Sequence, residues 1–335
     1  KEDIYNGSRL GCLEMIKSGT TFFSDMYWHN NITAMAVREM GMRAAISHVF
    51  IDFFDPDNLK KQIENFEKNY ANSSCLYDDN VILTMGPHAI NTLSEDGLKY
   101  CAKIAKEKDL RINIHLSETE DEVEFCKNKY RMKPVEFLEK IGLLGENVIA
   151  AHAIWTDDNE IEILKNHNVN IAHNPSSNMK LASGSFSYTK FEKAGLNICL
   201  ATDGCSSNNN LDMGEEMKIA SLLIKSNDRN PTALSTKTVF EMATTNTAKT
   251  FGLKTGKIEV GYDADCILVD LDNTRMVPGY NLISDMVYSA DSSCIKTTIC
   301  QGRVLMLDNK VNNEREIIAA ARKSADKIKK IVASI

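Results

Sequence analysis

The stretch Ile112-Asn-Ile-His-Leu-Ser-Glu118 is a short apolar run that ends in a histidine and has an acid three residues beyond it. Four other apolar runs end in a polar group able to do chemistry: His88 before it, then His152, His173 and Asp203 after it. These groups stand 27, 37, 21 and 30 residues apart, each interval about one β-α unit. Side chains at successive strand C-termini converge only if the sheet closes on itself. The pattern therefore selects a (β/α)8 TIM-type barrel, an α/β fold, over an open doubly wound sheet.

Working outward, apolar runs at 20–25, 43–49, 81–86, 111–116, 148–153, 169–172 and 197–202 predict seven strands. Stretches of helical period lie between them, at 93–107, 119–129, 134–141, 157–165 and 214–225. Near-continuous hydrophobic strands separated by amphipathic helices describe a parallel sheet buried on both faces. The chain opens with a helical pattern at 4–16, so the eighth strand, the first of the barrel, is expected upstream of Lys1. After Phe251, residues 256–270 and 295–305 read as short alternating strands with turn residues between them. The expected organisation is a barrel over 1–252, part of a small β-domain over 253–311, and a helix over 312–335 that packs on the barrel or contacts another copy in a homo-oligomer.

The chain has 335 residues, 43% hydrophobic and 25% charged, which is a globular composition. Its 39 basic and 46 acidic side chains give a net charge of -7, which disfavours nucleic acid and other polyanions as partners. No apolar run approaches the ~18 residues of a membrane span. The nine cysteines form no Cys-x-x-Cys pair, and several sit in apolar runs, as expected of a cytoplasmic protein.

At the end of its strand, a neutral His115 suits a zinc ion, and Glu118 three residues on can shuttle protons beside it. His152 and Asp203 occupy the equivalent place in later units. Asp203 taken alone reads equally as a loop residue or a helix cap. His88 follows Gly86 and Pro87, which fix a loop geometry at the barrel mouth and favour substrate contact. His173 opens a string of Asn and Ser residues that could equally satisfy loop backbone, and Ser206 and Ser207 could bind substrate or begin the next helix. His29 and His167 read as solvated.

Seven strings carry a resemblance: Ser18-Gly-Thr-Thr21, Gly86-Pro-His88, His115-Leu-Ser-Glu118, Ala151-His152, His173-Asn-Pro-Ser-Ser-Asn-Met-Lys-Leu181, Thr202-Asp-Gly-Cys-Ser-Ser-Asn-Asn209 and Gly261-Tyr-Asp-Ala-Asp265. In this order, over nearly the whole chain, they resemble the amidohydrolase superfamily. Within it they resemble the 5'-methylthioadenosine/S-adenosylhomocysteine deaminases and 5'-deoxyadenosine deaminases. The resemblance implies hydrolytic removal of the 6-amino group of a small nucleoside, with one Zn2+ or other divalent metal held by His115 and Asp203. Glu118 would protonate purine N1, His152 would act with Asp203 on the metal-bound water, and His88 and Ser207 would contact the nucleoside. Relatives that bind S-adenosylhomocysteine place basic residues near the strand at 43–50, where this chain offers His48. Such enzymes also complete the metal site with a His-x-His pair on the first barrel strand, and none of the seven histidines here forms one. Their β-sandwich domain draws strands from both termini. Other mononuclear amidohydrolases, such as guanine or cytosine deaminases and s-triazine-type hydrolases, are the alternative, with a non-catalytic barrel scaffold behind them. The Pro-Cys-x-x-Cys zinc motif of nucleic-acid deaminases is absent.

Overall fold

The computed structural model describes residues 1–71 and 75–333. Seven strands form one parallel sheet in sequence order: β1 (Phe22–Asp25), β2 (Arg43–Phe50), β3 (Val81–Pro87), β4 (Ile112–Leu116), β5 (Val148–His152), β6 (Asn170–His173) and β7 (Ile198–Leu200). Each apolar run of the sequence forms one of them, with ends within two residues of the expected ones. Helices link the strands, as parallel neighbours require. Among the described residues β1 and β7 do not pair, so the sheet curls without closing.

Contacts between strands that are not neighbours show the curl. Asn113 Nδ2 on β4 donates to Ser24 Oγ on β1 at 3.4 Å. Phe22 on β1 packs on Phe251, beyond β7, with ring centroids 4.8 Å apart. Alternation along each strand then divides the side chains. Ile112, Ile114 and Leu116 of β4 face the helices in the main core, whereas Phe22, Ala45, Ile82, Ile149 and Ala172 fill the base of the interior. Burial of each large aliphatic side chain in the helix-facing layer stabilises the sheet by about 1.5–3 kcal/mol.

Beyond the barrel, β8 (Cys266–Val269), β9 (Ile295–Cys300), β10 (Arg303–Leu307) and β11 (Lys310–Val311) form an antiparallel sheet in the order β11-β10-β9-β8. Ile295, Leu305 and Met306 bury their side chains against Cys12, Ile16 and Val37 of the helices Glu2–Lys17 and Asn30–Met40. Arg43, buried at the start of β2, pairs with Asp263 at 2.9 Å and with Asp265 at 3.0 Å. The Gly261–Asp265 string thus ties the small sheet to the barrel. The segment between β8 and β9, which the sequence suggests is turn-rich, contains the helix Leu282–Tyr288. Leu282, Ile283, Met286 and Val287 recur at helical spacing over a run too short to stand out. Val287 is buried in the main core, and Tyr288 Oη lies 2.7 Å from Ser221 Oγ. The final helix, Glu314–Val332, packs on the first one, with Asn6 Nδ2 donating to Ser324 Oγ at 3.1 Å. No helix among the described residues is long and apolar enough to cross a membrane.

Candidate active site at the strand ends

His115 follows Ile114 on β4 and shares the inward face with Asn113. Its Nδ1 lies 2.8 Å from the His88 carbonyl, which only accepts, so Nδ1 carries the proton and Nε2 presents a lone pair. This partner-fixed tautomer is the usual support of a metal-ligating imidazole. The His88 ring lies 4.6 Å from that of His115, and its Nδ1 lies 2.9 Å from Thr92 Oγ1. Burial, reinforced by neighbouring His115, pushes the His88 pKa down to about 4, so the ring is neutral at pH 7.

His152 ends β5. Strand alternation would send it outward with Ala150, but its φ is 72° and that of Ala153 is 49°, and this left-handed pair breaks the alternation. The His152 ring lies 5.5 Å from that of His115, nearly parallel to it. Its Nδ1 contacts Asn178 Oδ1 at 2.8 Å and Asn174 Nδ2 at 3.3 Å, and the shorter contact assigns the proton to Nδ1. Nε2 then faces Glu118 Oε2 at 3.7 Å, beyond direct hydrogen bonding. Burial and the nearby His115 hold His152 below its ordinary pKa, while Glu118 opposes them.

Glu118 accepts from Ser183 Oγ at 3.2 Å. Asp203, another left-handed residue with φ 61°, accepts from Gly204 N at 2.7 Å and from Ser177 Oγ at 2.6 Å. Ser207 lies in the turn that follows, its backbone N–H donating to Gly204 O at 3.0 Å. Each such non-glycine residue at the barrel mouth carries backbone strain of roughly 1–3 kcal/mol. His88, His115, Glu118, His152 and Asp203 share this mouth, with Ser207 at its rim.

One expectation needs correction, and one open reading is decided. His48 does not join the site. Ala45 faces the interior, so His48, three residues on, faces the helices. It is buried against Phe50 and Phe66 at 5.2 and 5.1 Å, and burial pushes its pKa down to about 4. His173 does not converge either. Ala172 takes the interior position, and His173 is fully buried outside it, its ring 4.6 Å from that of Phe186. His29 is exposed, and His167 pairs with Glu139 at 3.0 Å, as their polar surroundings suggest.

Several supporting residues were not legible individually. Ser177, Asn178 and Ser183 hold Asp203, His152 and Glu118, and the first two lie in the Asn- and Ser-rich string after His173. Glu216 is buried, accepts from Ser176 N at 3.3 Å and Asn208 Nδ2 at 2.6 Å, and so joins the loops after β6 and β7. Burial pushes its carboxyl up to about 7. The free Nε2 of His115 and the carboxylate of Asp203 fit zinc chemically. No group of three or more His, Cys, Asp or Glu side chains placed to hold a metal is found among the described residues. As metal ligands, His115 and Asp203 would supply two of the four donors of an ordinary tetrahedral zinc site.

Residues 1–305 match the family described as the amidohydrolase family. The chain belongs to that family. A 5-methylthioadenosine/S-adenosylhomocysteine deaminase 1 from Archaeoglobus fulgidus is 45% identical to it over 332 residues, 99% of this chain and 78% of the relative. A 5'-deoxyadenosine deaminase from Methanoregula boonei is 42% identical over 328 residues, 98% and 74% of the two chains. Among solved structures, an adenosine deaminase from Xanthomonas campestris with bound zinc matches with a TM-score of 0.92 at 28% identity, covering 98% of this chain and 75% of that one. The α/β barrel with an accompanying small sheet is the amidohydrolase architecture in this chain as well.

Proposed function

We propose that this amidohydrolase is a metal-dependent aminohydrolase that converts the 6-amino group of adenosine derivatives to the inosine analogue and ammonia. The observation that carries this reading is the placement of Glu118, three residues after His115. Its carboxylate stands between Ser183 Oγ and the lone-pair nitrogen of His152 at the barrel mouth. His115 and Asp203 would hold the metal, which when bound activates water and polarises the reacting carbon. Glu118 delivers a proton to purine N1 and so limits charge on the ring as C6 becomes tetrahedral. Asp203, oriented by Ser177, and His152, neutral and oriented by Asn178, accept and relay the proton lost by the attacking water. His88 and Ser207 contact the nucleoside. Among the relatives, the names 5'-deoxyadenosine deaminase and 5-methylthioadenosine/S-adenosylhomocysteine deaminase support adenosine derivatives over other aminated rings.

The test is ammonia release by the full-length native protein, supplied with zinc, from 5'-deoxyadenosine, 5'-methylthioadenosine and S-adenosylhomocysteine, with guanine and cytosine as controls. Release from the adenosine derivatives alone is expected. Activity confined to guanine or cytosine would overturn the substrate assignment.

A further inference from the structure

Glu118 is held by residues that take no part in the chemistry. Its neighbour Glu122 is 3% exposed, and its two carboxylate oxygens accept from Ser117 N and Glu118 N, each at 2.9 Å. Thr119 caps the helix Glu120–Tyr130, its Oγ1 accepting from Glu122 N at 3.3 Å. A capping-box glutamate at this position would reach back to the Thr119 N–H. Glu122 instead reaches the two amides before it, at the turn where Ser117 adopts φ 49°. Burying an ionised carboxylate is unfavourable, and two charge-assisted hydrogen bonds offset part of that cost.

The other end of Glu118 is fixed through a ring of bonds. The Ser117 carbonyl accepts from Trp155 N at 2.9 Å, Trp155 Nε1 donates to the Ser183 carbonyl at 2.7 Å, and Ser183 Oγ returns to Glu118 at 3.2 Å. The backbone at 117–118 therefore sets where the Glu118 carboxylate points, and Glu122 sets that backbone. Resting on the reading of Glu118 as the proton donor, we infer that Glu122 is a positioning residue for deamination and acts through Glu118 without touching substrate.

The experiment uses the full-length native protein with Glu122→Gln, Glu122→Asp, Glu118→Gln and the Glu118→Gln/Glu122→Gln pair. Misplacing a catalytic group by ~1 Å costs on the order of 100-fold. Glu122→Gln is therefore expected to lower kcat for 5'-deoxyadenosine by about that factor, with KM held within about twofold. In the Glu118→Gln background the same change is expected to remove nothing further from kcat. An equal fall in both backgrounds, or a rise in KM with kcat unchanged, overturns the inference. Glu122→Asp retains the charge but is too short to span both amides, so it decides by the same readouts if the Gln variant fails to fold. Without substrate, hydrogen exchange at the Ser117 and Glu118 amides should be slow in the parent and faster in either Glu122 variant. Unchanged exchange overturns the clamp. If the parent deaminates no adenosine derivative, the functional reading fails, and exchange still decides whether Glu122 holds this turn.

Discussion

The ends of β4 and β2 look alike in sequence, each an apolar strand with a histidine near its end and acids after it, yet they do opposite things. On β4 the inward residues are Asn113 and His115, so the histidine reaches the mouth and Glu118 follows it around a left-handed turn. On β2 the inward residue is Ala45, which turns His48 away among Phe50 and Phe66. The acids differ in the same sense. Asp52 is spent on structure, accepting from Ser94 N and Phe54 N, while Glu118 faces the mouth. One residue of register separates a candidate catalytic histidine from a core histidine, because strand side chains alternate with a period of two.

The largest effect expected from this contrast is just beyond β7. Asp203→Ala removes a proposed metal donor, and turnover should fall well beyond the roughly 10–100-fold expected when a ligand loses only a supporting partner. Ser177→Ala, which removes the partner and leaves the ligand, should fall within that range. Steady-state kinetics with zinc content measured on the same samples checks both, and equal losses would break the distinction between ligand and support. Zinc titration of the 335-residue chain should likewise show weak binding, because no group of three or more His, Cys, Asp or Glu side chains that could hold a metal is found among the described residues. Tight stoichiometric zinc in that chain would contradict it.

Selectivity comes next. The one cation sharing the inward parity of β2, Arg43, lies at the strand start and is paired with Asp263 and Asp265, and His48 is neutral and turned away. A terminal carboxylate left unpaired loses on the order of 1.5–3 kcal/mol, roughly one to two decades in specificity. We therefore expect 5'-deoxyadenosine or 5'-methylthioadenosine to show a higher kcat/KM than S-adenosylhomocysteine. Equal or better use of S-adenosylhomocysteine would point to another cation, and Lys180, which donates to Ser206 O at 3.1 Å at the rim, is the one to replace.

His48 has its effect on stability. Its folded-state pKa of about 4 lies below the ordinary value of 6.5, so below pH 6.5 the unfolded chain binds the proton that the buried ring refuses. Stability linked to His48 is thus complete above about pH 6.5 and is lost as pH falls toward 4. By pH 5 the loss is on the order of 2 kcal/mol. His48→Gln should flatten the fall in Tm between pH 7 and 5 while leaving kcat/KM at pH 7 within about threefold. An unchanged slope, or a tenfold loss of kcat/KM, would return His48 to the site. Glu122 and Glu216 work in the opposite direction, since burial raises both to about 7 and their protonation relieves the folded state as pH falls. The His48 variant must therefore be compared with the parent at each pH.

The contrast also accounts for what the sequence could reveal. The seven strands were legible because apolar runs between helical periods are a signal of period and length. Which strand-end residues converge was legible where they share the inward parity, as with His115, or where a left-handed turn restores it, as with His152 and Asp203. His48 was misplaced and His173 left open because parity requires an anchor, and Ala45 and Ala172 carry no chemical signal that marks them as inward. Ser177, Asn178 and Ser183 lie in loops without periodicity. Glu122 looks in sequence like an ordinary acid in the first turn of a helix.

The central claim is that Glu118 is the proton donor at a metal-dependent deamination centre. It is tested most directly by Glu118→Gln in the full-length native protein, with zinc content and kcat for 5'-deoxyadenosine measured on one sample. The expected result is retained zinc with turnover lowered roughly 10²–10⁴-fold, the range of general acid-base catalysis. Turnover within a few-fold of the parent, with zinc bound, would contradict it.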